Sequence, residues 1–149
     1  MGRSIEIYEM EQTMSNKRGP GFHHVAVRTS DLAASIRFYE EGLGFKRSFG
    51  WGEGDGEIVL MDIGDGNYVE LFAGGKAPDG QPLRSPVEHF AFRVEDAQAS
   101  YDRAIAAGAA SQIEPKIVPL KGDHVVTVKI AFVKGPDGEV IEFFENDEL

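Results

Sequence analysis

Hydrophobic and polar residues alternate over short segments from Phe22 onward, and this alternation predicts β-strands. Between the first two strands, apolar residues recur at helical spacing after Ser30 and Asp31, either of which can cap a helix. Glycine and proline mark the turns between the segments, as in Gly64-Asp65-Gly66. The first half therefore predicts one helix and four strands in the order βαβββ. The predicted strands are 22–28, 45–50, 56–63 and 67–73.

The same pattern recurs after a linker rich in glycine and proline, residues 74–86. HFAFRVED at 89–96 matches HVAVRTSD at 24–31, and DGEVIEFF at 137–144 matches DGNYVELF at 65–72. The two offsets, 65 and 72, differ by a length that loops around 110–124 could absorb. The sequence therefore predicts an α+β fold made of two tandem βαβββ modules, 21–73 and 87–146, which share one domain over 21–146. Residues 1–20, which end in a polar stretch and Gly19-Pro20, are expected to form a flexible arm.

The composition excludes several function classes. The chain has 149 residues and a net charge of −10 without a run of basic residues, which argues against nucleic acid or an anionic membrane as partner. It contains no cysteine, so disulfides, thiolate nucleophiles and cysteine metal ligands are excluded. No apolar stretch approaches the roughly 18 residues of a membrane span, and the N-terminus lacks the pattern of a signal peptide. We expect a cytoplasmic protein.

Strand alternation places chemically similar residues of the two modules on equivalent faces. His24, Ala26 and Arg28 share one face of the first strand, and His89, Ala91 and Arg93 share one face of its repeat. Glu70 and Glu142 occupy equivalent positions on the last strand of each module. Val25 and Val27, with Phe90 and Phe92, are expected to pack beneath the helices, so the histidine face points away from them. By the same rule, His23 is expected on the face opposite His24, in a structural role.

Two imidazoles and two carboxylates related by a pseudo-twofold axis suggest a metal site. Their combination suits zinc, nickel, iron or cobalt better than calcium or magnesium. Four protein donors on a six-coordinate ion leave two positions for water or substrate oxygens, as in catalytic sites. The alternative is a solvated polar strand face without a ligand. His124 falls in a predicted loop, where it could close over a site or face solvent.

The segments HVAVRTSDLAASIRFYEEGLGF, VELF, HFAF and GPDGEVIEFFE resemble the vicinal oxygen chelate superfamily, over residues 21–146. Within it, the chain is most similar to the glyoxalase I (lactoylglutathione lyase) family. The resemblance implies cupped mixed β-sheets with helices on the outer face, a homodimer, and one divalent ion of zinc, nickel or cobalt. It implies that the ion is held by His24, Glu70, His89 and Glu142, and that Arg28 pairs with a carboxylate of glutathione. Gly74 stands where the family has an asparagine that also holds glutathione, so the identity of the thiol stays open.

The activity that the resemblance implies is conversion of the hemithioacetal of a 2-oxoaldehyde and a thiol to a 2-hydroxyacyl thioester, through an enediolate that the metal stabilises. Glu142 would act as the base, with Glu70 as its counterpart, while Arg28 and Arg93 would steer a substrate carboxylate. Two alternatives stay open. One is another metal-dependent reaction of the superfamily, by an epimerase, isomerase or dioxygenase. The other is a metal-free binding protein of the bleomycin-resistance type.

Overall fold

A computed structural model of the chain describes residues 19–149. The predicted arm therefore lies outside the described residues, except for Gly19 and Pro20. The described part contains eight strands and two α-helices. In chain order they are β1 (Gly21–Arg28), α1 (Leu32–Arg37, extended by a π-helical turn over Phe38–Gly42), β2 (Lys46–Trp51), β3 (Ile58–Asp62), β4 (Tyr68–Phe72), β5 (Val87–Arg93), α2 (Ala97–Ala106), β6 (Ala110–Lys121), β7 (Val125–Lys134) and β8 (Val140–Glu145). No helix in this part of the chain is long and apolar enough to span a bilayer.

All eight strands form one mixed sheet, in the order β2-β3-β4-β1-β5-β8-β7-β6. The first strand of each half lies parallel to the last strand of that half, β1 to β4 and β5 to β8. The two halves meet where β1 and β5 pair antiparallel at the centre of the sheet. The α+β fold predicted from the repeated pattern, and the mixed sheet that the resemblance implies, are confirmed.

The helices cover one face of this sheet, and Val25 and Val27 pack beneath α1 as predicted. The prediction is wrong for Phe92, which is 37% exposed, and neither Phe90 nor Phe92 belongs to the cluster at α2. Asp31 and Asp96, at equivalent positions of the repeat, cap α1 and α2 by accepting hydrogen bonds from backbone amides. Beneath α1 lies a buried apolar cluster of residues from β3 and β4, and beneath α2 lies a second cluster that includes Tyr101. A third cluster, which includes Phe49 and Phe144, fills part of the opposite, inner face. The inner face is therefore the one available for chemistry.

The prediction of loops around 110–124 is wrong for most of that segment. Residues 110–121 form the longest strand, β6, and only the turn before Val125 interrupts its hairpin with β7. The extra residues between the repeats lengthen a strand instead of a loop, and Pro115 and Pro119 are tolerated there because β6 is an edge strand. The hairpin tip reaches the opposite edge of the sheet: a Cβ added to Gly122 would lie 2.2 Å from the carbonyl oxygen of Gly50 in β2. The sheet is thus curled, with its two edges in contact at this point.

Candidate metal centre

The strand register brings the four predicted ligands together on the inner face. In the antiparallel β1–β5 pair, His24 lies opposite Ala91, and Ala26 lies opposite His89. In the flanking parallel pairs, the same two alanines face Glu70 and Glu142. Both alanines are fully buried, and their small side chains leave room for the longer ligands on either side. The four side chains therefore come from four adjacent strands of one chain, β4, β1, β5 and β8.

The distances between their donor atoms are short. The Nε2 atoms of His24 and His89 are 3.1 Å apart, and each lies 3.0 Å from Oε2 of Glu142. Oε1 of Glu70 lies 3.4 Å from Nε2 of His24 and 3.7 Å from that of His89. Donors at adjacent positions around an ion with bonds of about 2.1 Å are themselves about 3.0 Å apart in an octahedron. The set fits a divalent transition ion in donor type, spacing and charge.

Burial and mutual charge shift the pKa values of these groups. Burial disfavours the charged form of His24, but the Glu70 and Glu142 carboxylates outweigh it and raise the pKa. Burial would raise the pKa of Glu142, yet hydrogen bonds from the two histidines lower it. For Glu70, burial dominates and raises the pKa. Without an ion, the two carboxylates that the repeat makes equivalent therefore have pKa values shifted in opposite directions.

Two bulges in the β1–β5 pair change where neighbouring side chains point. The register shifts at His23, and again at Glu88, so each residue that precedes a ligand histidine falls outside the regular pairing. His23 is fully buried and packs against Tyr68 and Phe144 of the inner face. The expectation that His23 faces away from His24 is therefore wrong, because the bulge breaks the alternation on which it rested.

His23 contacts the metal-site histidine directly. Its Nδ1 lies 2.7 Å from Nδ1 of His24, so one ring donates a hydrogen bond to the other. Burial is the main cause that lowers the pKa of His23 to about 3, with the neighbouring His24 as the second cause. His23 is thus a neutral hydrogen-bond partner of a candidate ligand. The only sequence signal for this role is the His-His doublet itself.

The two arginines predicted to bind substrate lie at opposite ends of the β1–β5 pair, because these strands run antiparallel. Arg28 donates to Glu88 across 2.5 Å, and its guanidinium lies 5.0 Å from the centroid of the Phe72 ring. Arg93 is buried and donates to the carbonyl oxygens of Phe22 and Gly66. Arg28 is therefore the accessible guanidinium, with a side chain that is 31% exposed.

Aromatic rings line the Arg28 end of the centre. The His89 ring makes edge-to-face contacts with Phe72 and Phe132, at centroid distances of 6.2 and 5.1 Å. Gly74, two residues after the end of β4, has a φ of +74°, and a Cβ there would lie 3.0 Å from the Asp55 carbonyl oxygen. Both facts disfavour a side chain at position 74.

His124 is exposed in the β6–β7 turn and pairs with Glu148, apart from the four candidate ligands.

Comparison with known proteins identifies the family. The model of the Glyoxalase/Bleomycin resistance protein/Dioxygenase superfamily matches residues 21–143. The chain is 33% identical to the uncharacterized protein YwbC of Bacillus subtilis over 126 residues, covering 82% of this chain and 94% of that protein. It is 34% identical to a probable lactoylglutathione lyase of Vibrio parahaemolyticus over 141 residues, covering 91% and 95% of the two chains.

Among solved structures, methylmalonyl-CoA epimerase from Mycobacterium tuberculosis superposes with a TM-score of 0.63. The two chains share 21% sequence identity, and the match covers 85% of this chain and 87% of the epimerase. At that identity the likeness shows the fold alone. The family match over most of the chain agrees with the curled eight-strand sheet and its two outer helices. The protein therefore belongs to the glyoxalase/bleomycin resistance protein/dioxygenase superfamily, also known as the vicinal oxygen chelate superfamily.

Proposed function

We propose that this protein is a metal-dependent lyase of the lactoylglutathione lyase type. The observation that carries the proposal is the set of four candidate donors, His24, Glu70, His89 and Glu142, in which an oxygen of each carboxylate lies 3.0–3.7 Å from Nε2 of both histidines. A protein that only sequestered a ligand would gain nothing from burying two carboxylates and two imidazoles together, because their desolvation is costly without an ion. Relatives named lactoylglutathione lyase, at 31–34% identity, support the same activity.

The substrate class is the hemithioacetal of a 2-oxoaldehyde and a thiol. A divalent ion in this centre would supply positive charge next to the two vicinal oxygens of that substrate and so stabilise the charge that develops when the C1 proton leaves. Glu142 would accept the C1 proton, and Glu70, on the other side of the centre, would be its counterpart when the proton returns at C2. The product is a 2-hydroxyacyl thioester.

Arg28 is the residue that we assign to a carboxylate of the thiol. It lies next to the aromatic rings around His89, and an incoming carboxylate would replace Glu88 as its partner. Arg93 is a weaker candidate for substrate binding, since its guanidinium is buried against backbone carbonyls at the other end of the strand pair. Because Gly74 offers no side chain, glutathione would lose one polar contact here, so other thiols belong in the assay.

Metal reconstitution tests the proposal. The protein is stripped with a chelator, then zinc, nickel, cobalt or manganese is added singly, and thioester formation from methylglyoxal is followed with glutathione and with other thiols. We expect activity with at least one ion, its loss in His24→Ala, and its retention in His124→Ala, which removes an exposed histidine outside the set. Stoichiometric metal without thioester formation for any thiol would refute the lyase and favour another metal-dependent reaction of the superfamily.

The roles of the two carboxylates are tested by the matched pair Glu142→Gln and Glu70→Gln. If Glu142 is the base, Glu142→Gln keeps a bound ion but loses several orders of magnitude in turnover. The opposite assignment, with Glu70 as the base, is the alternative, because the pKa of Glu70 is raised in the metal-free centre whereas that of Glu142 is lowered. Wild-type turnover in Glu142→Gln, with the large loss in Glu70→Gln instead, would exchange their roles.

A further inference from the structure

The bulge at His23 gives the centre a feature that the duplication does not explain. In the second module the equivalent residue is Glu88, and its side chain contacts Arg28 rather than a ligand histidine. In the first module the bulge turns His23 inward, where its Nδ1 lies 2.7 Å from Nδ1 of His24. The two copies have therefore diverged at this position, and only the first copy places an imidazole behind its ligand.

We propose that His23 is a positioning residue that sets the tautomer and the ring orientation of His24, and thereby the affinity of the centre for a divalent ion. The inference rests on the proposed metal site. It does not depend on which reaction the site catalyses.

The hydrogen count of the two rings supports this role. Nε2 of His24 faces His89, Glu70 and Glu142, so it must hold a lone pair rather than a proton to bind an ion. The proton of neutral His24 then lies on Nδ1, where the acceptor within hydrogen-bond distance is Nδ1 of His23. His23 in turn carries its own proton on Nε2. A single hydrogen bond thus selects the metal-binding tautomer of His24 and holds its ring.

The surroundings of His23 keep this arrangement in place. The His23 ring lies 4.1 Å from the centroid of the Phe144 ring and 5.2 Å from that of Tyr68, and it is fully buried. Its Nε2 is buried without a hydrogen-bond partner among the described residues. A buried imidazole with one nitrogen poorly satisfied is unfavourable for folding alone. The role of its other nitrogen, Nδ1, in orienting His24 would explain why the protein keeps this histidine.

The first test compares two substitutions of His23 by the affinity of the protein for Co²⁺, measured by competition with a chelator. His23→Leu removes the acceptor, and we expect it to weaken Co²⁺ binding by about 10- to 100-fold. His23→Asn keeps an oxygen where Nδ1 now lies, and we expect an affinity within about threefold of the wild type. His124→Ala is the control: it removes an exposed histidine that pairs with Glu148, and we expect an unchanged Co²⁺ affinity.

The second test needs no substitution and holds even if His23→Leu fails to fold. Imidazole ¹⁵N NMR of the Zn²⁺-loaded wild type should show His24 protonated at Nδ1 and His23 protonated at Nε2. A His23 protonated at Nδ1 would overturn the proposal, as would wild-type Co²⁺ affinity in His23→Leu or an equal loss in His23→Asn. If the lyase assay fails but the protein binds metal normally, the Co²⁺ affinities and the NMR result still test the role of His23. A wild type that binds neither ion refutes both the site and the role of His23.

Discussion

A divalent ion should stabilise the folded protein strongly, because its four candidate ligands are already assembled. His24 is fully buried and the other three are at most 9% exposed, so binding requires little reorganisation of the sheet. The unfolded chain, in contrast, separates Glu70 from Glu142 by 72 residues. An ion that binds only the folded state at 100 times its dissociation constant adds about 2.7 kcal/mol to the free energy of unfolding.

The corresponding rise in the melting temperature follows from the size of the domain. For a chain near 150 residues, about 1 kcal/mol corresponds to a shift of roughly 4 °C. We therefore expect the melting temperature to rise by about 10 °C when the stripped protein is saturated with zinc, nickel or cobalt, with a smaller rise for magnesium. Differential scanning calorimetry over a series of metal concentrations measures both the shift and its dependence on concentration.

Two variants separate the proposed centre from adventitious binding. His24→Ala removes a histidine whose Nε2 lies 3.0–3.4 Å from each of the other three candidate ligands and should abolish the shift. His124→Ala removes an exposed histidine that pairs with Glu148 and should leave the shift intact. A shift that survives in His24→Ala, or that disappears in His124→Ala, would refute the assignment of the centre. The absence of any shift in the wild type would refute metal binding itself.

Three further predictions concern single positions. In the metal-free protein, His23→Asn should reduce the loss of stability between pH 6.5 and 4.5. The pKa of His23 in the folded protein, about 3, lies below its ordinary value, so protonation below pH 6.5 favours the unfolded state by up to about 1.4 kcal/mol per pH unit. Urea unfolding at several pH values measures this, and identical pH slopes of the unfolding free energy in the two proteins would contradict it. Glu88→Gln should lower KM for a carboxylate-bearing thiol with little change in kcat, since it removes the carboxylate that pairs with Arg28. An unchanged or higher KM in steady-state kinetics would exclude Arg28 from the substrate site. Gly122→Ala should lower the free energy of unfolding by about 1–3 kcal/mol, because the added methyl group would clash with β2 at the hairpin tip. Gly56→Ala is the control, since a Cβ at Gly56 meets open space. Equal unfolding free energies for the two variants would argue against the contact.

Much of the inner face was predictable because strand alternation and duplication are both written in the sequence. His24 and His89 stand in matching H-x-A-x-R-x-x-D segments, and Glu70 and Glu142 in matching D-G-x-x-V/I-E-x-F segments. Period-2 alternation was then enough to place each pair on one face. The two buried alanines between them belong to the same pattern.

Other features depend on how strands pair, and no single strand carries that information. His23 was assigned to the wrong face because a bulge against β5 interrupts its alternation. Residues 110–124 were assigned to loops from the difference between the two repeat offsets, whereas 110–121 pair as an edge strand, a position that only the order of the sheet decides. The separation of Arg28 from Arg93 likewise follows from the antiparallel pairing of the two modules.

The sequence by itself determined the βαβββ repeat, the outward face of the helices and the four donor side chains, because each of these follows from local periodicity or from residue identity. The tertiary structure alone decided that donor atoms of His24, Glu70 and His89 converge in one chain within 4.8 Å of one another, that Glu142 lies 3.0 Å from both imidazoles, and that His23 lies behind His24. Convergence requires strands that are up to 72 residues apart in sequence to pair in one register. That register is set by packing and curvature across the whole sheet rather than by any local pattern.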